Sequence, residues 1–482
     1  MNLALPTQRT SGPATSGPAT SGPATSGIAT SRPATSRPAA GELRVLLGAA
    51  AQAAAPQVQG RVCEIVGLGI TVAGLRAPIG DVVTITTALG PLPAQVVAAD
   101  GDGLRCMPLG TTTGLATGDP VLATGSVLRV PAGYGLLGRV VDALGRPIDG
   151  RGPLGDVLTV PLEASAPNPL LRRRVDRVLT TGVRAMDTLV PVGAGQRVGI
   201  MAGSGVGKST LLGMAVRGTA APVRVVALVG ERGREVREFL EDTLDEAARA
   251  RTAVVVATAD DPALLRLSAA FTATRIAEHF RDLGEDVLLV VDSVTRTALA
   301  QREVALAAGE PPATRGYPAS VFAMLPRLLE RSGPGVTGTI TALYTVLVEG
   351  DDLQDPIGDT ARGILDGHIV LARSLATVGH FPSIDVLESI SRVERAVLPP
   401  QRLALAQHLR RLLAAWRDVR DLVEVGAYAG GSDPDADAAI ALRHEMNAFL
   451  RQAPDDVASA AQSWQDLATL LSQLPTQPGG RR

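Results

Sequence analysis

Ala202-Gly203-Ser204-Gly205-Val206-Gly207-Lys208-Ser209-Thr210 is the stretch that decides the fold. It follows the apolar residues 198–201 and opens onto Leu211-Leu212-Gly213-Met214-Ala215, the order strand, glycine loop, helix. Glycines at 203, 205 and 207 let the backbone turn tightly and aim successive N–H groups at phosphate oxygens. The predicted cradle is therefore Gly203, Ser204, Gly205, Val206, Gly207, Lys208, Ser209 and Thr210. Lys208 reaches the outer phosphates of a nucleoside triphosphate, and the Ser209 hydroxyl ligates magnesium. A glycine loop that merely precedes a lysine would lack the flanking strand and helix. One residue departs from the usual pattern: Ala202 stands where glycine is customary.

Two further strand ends carry carboxylates. Residues 287–291 are apolar and run into Asp292, placed to hold magnesium directly or through water. An aspartate at a strand end is common for turn reasons alone; the upstream lysine loop gives this one its meaning. Residues 225–229 run into Gly230-Glu231-Arg232-Gly233-Arg234-Glu235. A glutamate just past a strand tip, beside the phosphates, orients and polarises an attacking water, so Glu231 is the candidate general base. Glu235 is placed for the magnesium's water shell. An arginine aimed at the γ-phosphate is worth several powers of ten in rate. With so many arginines in the chain, pattern alone does not choose one.

Composition bounds the rest. A chain of 482 residues has room for about three domains. Aromatics are only 2%, so its cores must be built from Leu, Val, Ile and Ala. A net charge of −2 argues against nucleic-acid binding by bulk charge. Cys63 and Cys106 have no metal-site spacing and read as reduced, cytosolic thiols. No apolar run is long enough to span a bilayer, and the N-terminus lacks the pattern of a secretory signal. The chain reads as soluble, with docking on a membrane-embedded partner left open.

Residues 11–40 are a degenerate Ser-Gly-Pro-Ala-Thr repeat with almost nothing to bury, and disorder is expected for residues 1–40. Residues 43–55 are Ala- and Leu-rich and suit a short helix. From Gly60 to about Val127, short apolar runs alternate with Gly, Pro and Asp turns, the texture of a small β-barrel within residues 41–128. Residues 129–400 read as α/β: apolar runs at 225–229, 253–257, 287–291 and 340–346 suit buried parallel strands, with helices predicted at 235–250 and 262–280. Beyond Pro399-Pro400, residues 401–482 read as helical. Leu405, Leu409, Leu412, Leu413 and Trp416 recur at helical spacing, and further helices are expected through Phe449 and over 455–474.

The stretch from about 130 to 450 resembles the flagellum-specific export ATPases, relatives of the catalytic β subunit of rotary ATP synthases and of virulence type III secretion ATPases. The matching segments occur in order. They are Gly182-Val183-Arg184-Ala185-Met186-Asp187, the phosphate loop, and Gly230-Glu231-Arg232-Gly233-Arg234-Glu235-Val236. Asp292-Ser293-Val294-Thr295-Arg296 and Thr314-Arg315-Gly316-Tyr317-Pro318 follow. Last come Glu349-Gly350-Asp351-Asp352-Leu353-Gln354-Asp355-Pro356, Phe381-Pro382-Ser383-Ile384-Asp385, and Ser389-Ile390-Ser391-Arg392-Val393. Ala202 also fits the flagellar and secretion branch. The resemblance implies a phosphate-loop, RecA-like core between the barrel and the helical region, and ATP with Mg2+ as the bound species. It makes Glu231 the catalytic carboxylate with Arg232 beside it, sets Phe381 against adenine, and matches Arg392 to an arginine that enters the neighbouring subunit's site. An arginine supplied in trans requires a ring, so a homohexamer is implied. The acidic residues 351–355 resemble a loop facing a central stalk. The family's other partners are an export regulator, substrate–chaperone complexes and the membrane export gate, with the enzyme peripheral to the membrane.

Four functions compete at this point: a flagellar or virulence export ATPase, a proton-driven synthase subunit, a non-catalytic ring subunit, and a hexameric RNA translocase. Glu231 speaks against the non-catalytic subunit. Residues 60–127 contain no Phe, Tyr or Trp, which speaks against single-stranded nucleic-acid binding.

Overall fold

The computed structural model describes residues 58–101, 103–348 and 355–473. The repeat at 11–40 and the helix expected at 43–55 lie outside the described residues, as do residues 351–354 of the acidic loop.

Six strands, β1 (Gln59–Val66), β2 (Gly69–Ala73), β3 (Asp81–Thr87), β4 (Gly90–Asp100), β5 (Gly103–Pro108) and β6 (Pro120–Val127), close into an antiparallel barrel in the order β1-β2-β5-β4-β3-β6. Period-2 alternation turns one row of each strand inward. Val62, Ile70, Val72, Val83, Ile85, Ala94, Val96, Cys106 and Val121 fill the interior as a core of its own. Burial of Cys106 pushes its thiol pKa up to about 12, so it packs as a small hydrophobe. A two-stranded ribbon of β7 (Arg129–Ala132) and β9 (Leu158–Pro161) follows the barrel.

The remaining strands build the central sheet: β8 (Val140–Asp142), β10 (Arg197–Ala202), β11 (Val223–Glu231), β12 (Thr252–Thr258), β13 (Asp286–Asp292), β14 (Gly333–Pro334), β15 (Thr339–Leu347), β16 (Gly367–Leu371) and β17 (Ile384–Ser391). Their order is β17-β16-β10-β15-β13-β11-β12-β8. All neighbours on this path are parallel except β17 with β16, and β14 pairs antiparallel with β15. Both faces are covered, which is why these strands are continuously apolar. In β11, Val223, Val225, Ala227 and Val229 face one cluster while Val226 and Leu228 face the other. The first cluster holds the helices Ala263–Asp282, Val294–Ala307 and Ala319–Leu329. The second holds Lys208–Gly218 together with the C-terminal helices.

The helix Pro400–Glu424 presents Leu409 and Leu412 to that second cluster, and the helix Ala460–Ser472 adds Trp464 and Leu467. Burying each of these leucines stabilises by about 1.5–3 kcal/mol. The C-terminal helices therefore share the sheet's core, whereas the barrel has a separate one. Arg402 lies over Trp464 and Arg443 over Trp416, which fixes both indoles in packing roles.

The expected architecture of barrel, α/β core and helical end is the one found; several element limits differ. The helix predicted at 235–250 is two short helices, Gly233–Glu238 and Glu246–Ala250, around a π-turn at Phe239–Thr243. Leu244 leaves the helical region and the Asp245 carboxylate caps the second piece by accepting from Ala248 N. The helix expected through Phe449 breaks at Leu442, and the last helix starts at Ala460, five residues later than expected. Strand β8 is not among the runs expected as strands; its three residues carry too little pattern to be recognised.

Candidate active site

Parallel pairing puts the C-terminal ends of β10, β11 and β13 along one edge of the sheet. Residues 203–207 turn from β10 into the helix that begins at Lys208. Gly207 precedes that helix at φ +93°, a left-handed conformation costly for any residue with a Cβ, and the Phe381 ring lies against it. At the end of β11 an extra residue relative to β12 forms a bulge at Gly230, φ +68°. The bulge re-aims Glu231 across the edge. A Cβ on Gly230 would also press on the Arg296 side chain at 3.0 Å.

These turns bring three charged groups together. The Lys208 ammonium donates to Asp292 Oδ1 and, at 3.2 Å, to Glu231 Oε1. Both carboxylates are buried, with 5% of Glu231 and 3% of Asp292 exposed. Thr345 of β15 donates its hydroxyl to Asp292 Oδ1 at 2.7 Å. Arg296, on the first turn of the helix Val294–Ala307, donates to Glu231 Oε2 at 3.2 Å and to the Gly230 carbonyl. Burial raises the Glu231 pKa to about 7; a hydrogen bond with Glu235 pushes the same way, against the pull of Lys208. The same contact lowers the Glu235 pKa, aided by Arg232.

The other predicted residues take definite places. Gly203 and Val206 are buried, while Ser204, Gly205, Ser209 and Thr210 are open to solvent. Phe381 is 40% exposed. Arg232 turns outward, its side chain 78% exposed and its guanidinium paired with Glu235 at 2.8 Å, so it is not part of the buried cluster. Arg392 is exposed and donates to the Arg362 carbonyl at 3.2 Å, with no hydrogen bond to Lys208, Glu231 or Asp292. Asp355 caps the helix Pro356–Ile364 by accepting from Ile357 N and Gly358 N. Arg296 and Thr345 were not singled out from sequence: both act through side chains that only tertiary packing brings to the carboxylates.

No preformed group of three or more acidic, His or Cys side chains gathers as a metal site among the described residues. The donor set still suits magnesium, which keeps several waters and takes only one or two carboxylates plus phosphate oxygens. Asp292 and the exposed Ser209 hydroxyl supply hard oxygen donors of that kind.

A glycine loop joining a parallel strand to a helix, with its lysine between two strand-end carboxylates, defines a phosphate-loop nucleoside triphosphatase. Residues 182–391 match the ATP synthase alpha/beta family, nucleotide-binding domain, and residues 398–469 match the T3SS EscN ATPase C-terminal domain. The chain is 50% identical to the flagellum-specific ATP synthase of Bacillus subtilis over 85% of its own length and 94% of the relative's. It is 48% identical to the type 3 secretion system ATPase of Xanthomonas euvesicatoria, over 86% and 94%. The assembled ATPase EscN from the enteropathogenic E. coli type III secretion system superposes with a TM-score of 0.82 at 44% identity, covering 86% of this chain and 100% of that one. The chain belongs to the family of flagellum-specific ATP synthases and type III secretion ATPases, and it is an ATP-binding, ATP-hydrolysing enzyme.

Proposed function

We propose that this protein hydrolyses ATP as a homohexameric ring that energises protein export during flagellum assembly. The observation that carries the catalytic part is the buried Lys208–Glu231–Asp292 cluster beside the glycine loop. Without nucleotide, Lys208 neutralises two carboxylates. With nucleotide, the backbone of residues 203–210 cradles the phosphates, Lys208 turns to the outer ones, and Glu231 is released to accept a proton from the attacking water. Ser209, Asp292 and, through water, Glu235 would hold magnesium, which when bound would neutralise charge on the phosphate oxygens. Phe381 packs against adenine. A catalytic part for Arg232 requires it to leave Glu235 and turn inward when nucleotide binds.

Arg392 lies away from its own chain's cluster, which favours its serving a neighbour. The relative EscN has been solved assembled and also in complex with its central stalk, EscO. On that basis we assign this chain a ring and a stalk partner read by residues 351–355. The division into residues 41–128, 129–400 and 401–482 is part of the same proposal, with the helices of the last range packed into the core of the second. So are an export regulator, substrate–chaperone complexes and a membrane export gate as partners, with no nucleic acid. Among the described residues no helix is long and apolar enough to cross a membrane; the flagellar and secretion relatives are the ground for placing the enzyme in the cytoplasm, held peripherally at the membrane. Identity does not separate branches: 47–51% to flagellar relatives, 48–50% to secretion relatives. Virulence secretion is therefore the second reading. ATPase rate against protein concentration, with oligomer mass in parallel, tests the ring. Specific activity should climb as the hexamer forms; a flat rate from a monomer would refute it. Deleting the gene should abolish flagellar filaments, and unchanged filaments would favour the secretion branch.

A further inference from the structure

For backbone N–H groups to point at phosphates, the carbonyls of a glycine loop must point away and be held there. Two alternate carbonyls of this loop are held from one segment. The Ser383 hydroxyl, on a residue only 1% exposed, donates to the Val206 carbonyl at 2.5 Å. Arg373 Nη1 donates to the Ser204 carbonyl at 3.2 Å. The two anchors flank Gly205, which turns at φ +76°. They are themselves tied together, because Ala372 N donates to the Ser383 carbonyl at 2.9 Å. Two residues before Ser383, the Phe381 ring rests on Gly207 of the same loop. The Phe381 carbonyl is fixed in turn by Gln452 N at 2.9 Å, from beyond the sheet.

We propose that Ser383 is a positioning residue that couples base recognition to phosphate binding: a base stacked on Phe381 presses the 381–383 segment onto the loop, and the Ser383 hydroxyl holds Val206 so that its neighbours' N–H groups face the phosphates. This rests on the assignment of the site to ATP and of Phe381 to the base. The alternative is a hydroxyl that only satisfies a buried carbonyl. Such a hydroxyl would support folding without linking the two halves of the nucleotide.

The test is a double-mutant cycle on the full chain, with steady-state ATPase kinetics and melting temperature for wild type, Ser383→Ala, Ser383→Thr, Phe381→Ala and the Phe381→Ala/Ser383→Ala pair. Ser383→Ala should lower kcat/KM for ATP about five- to tenfold, mainly through KM, the size of one buried hydrogen bond. Ser383→Thr keeps the hydroxyl and should recover most of it. The two single losses should not multiply, the double variant falling short of their product by about threefold or more. Multiplicative losses, a Ser383→Ala variant within twofold of wild type, or no recovery in a Ser383→Thr protein that melts like wild type would each overturn the coupling. Wild type that neither binds nor hydrolyses ATP would instead sink the assignment of the site.

Discussion

Replacing Glu231 by Gln removes a charge and almost no volume. The side chain accepts hydrogen bonds from Lys208 at 3.2 Å and from Arg296 at 3.2 Å, and Gln can accept only one of these with its single amide oxygen. Shape and burial survive, so ATP affinity should stay within a few-fold of wild type. Turnover should fall by about 100- to 10,000-fold, the range a positioned general base contributes. A second readout comes from titration. The Glu231 pKa is raised in the fold to about 7, against 4.5 for the unperturbed group, chiefly by burial. The folded state thus binds a proton that the unfolded state has released. Stability from this group is fully present below pH 4.5 and is lost as pH rises through about 7. Nucleotide-free protein should therefore lose on the order of 1–3 kcal/mol between pH 5.5 and 8.5 by urea unfolding. Glu231→Gln should flatten that slope. Binding assayed with a fluorescent ATP analogue and turnover by phosphate release separate the two effects. A fall in kcat of less than tenfold would refute Glu231 as the base, and an unchanged pH slope would refute its raised pKa.

Arg392→Ala should leave nucleotide binding intact while ring activity falls by about 1,000-fold or more. Rings mixed from Arg392→Ala and Glu231→Gln subunits should regain activity, and demonstrably mixed rings without rescue would count against action in trans. Arg331 is buried and pairs with Glu278 at 2.7 and 2.8 Å. Arg331→Met leaves that carboxylate short of a partner and should cost about 3–5 kcal/mol in urea unfolding; a loss below 1 would show the site relaxes. Asp187 accepts from Thr181 N, Thr181 Oγ1 and Gly182 N in a buried pocket. Asp187→Ala orphans those donors and should cost about 2–4 kcal/mol, read as a lower urea midpoint with an unchanged slope.

What the sequence by itself determined is local. The glycine loop, the apolar runs ending in Glu231 and Asp292, and the period of Leu409 and Leu412 are each written within a few residues, because strand and helix periodicity and turn chemistry are short-range. The two carboxylates could be named as functional because each ends a buried strand. Their meeting on Lys208 depends on the strand order β10-β15-β13-β11, which brings the ends of β10, β13 and β11 to one edge and is not written in any local pattern. Arg296, Thr345 and Ser383 lie 65, 53 and 177 residues from the atoms they hold. No periodicity links such distant positions. The outward turn of Arg232 rests on a local pair with Glu235, three residues on, but which way the pair faces is set by the fold around it. Tertiary structure decided these points for one physical reason: a hydrogen bond is chosen by distance in space, and only packing turns sequence separation into distance.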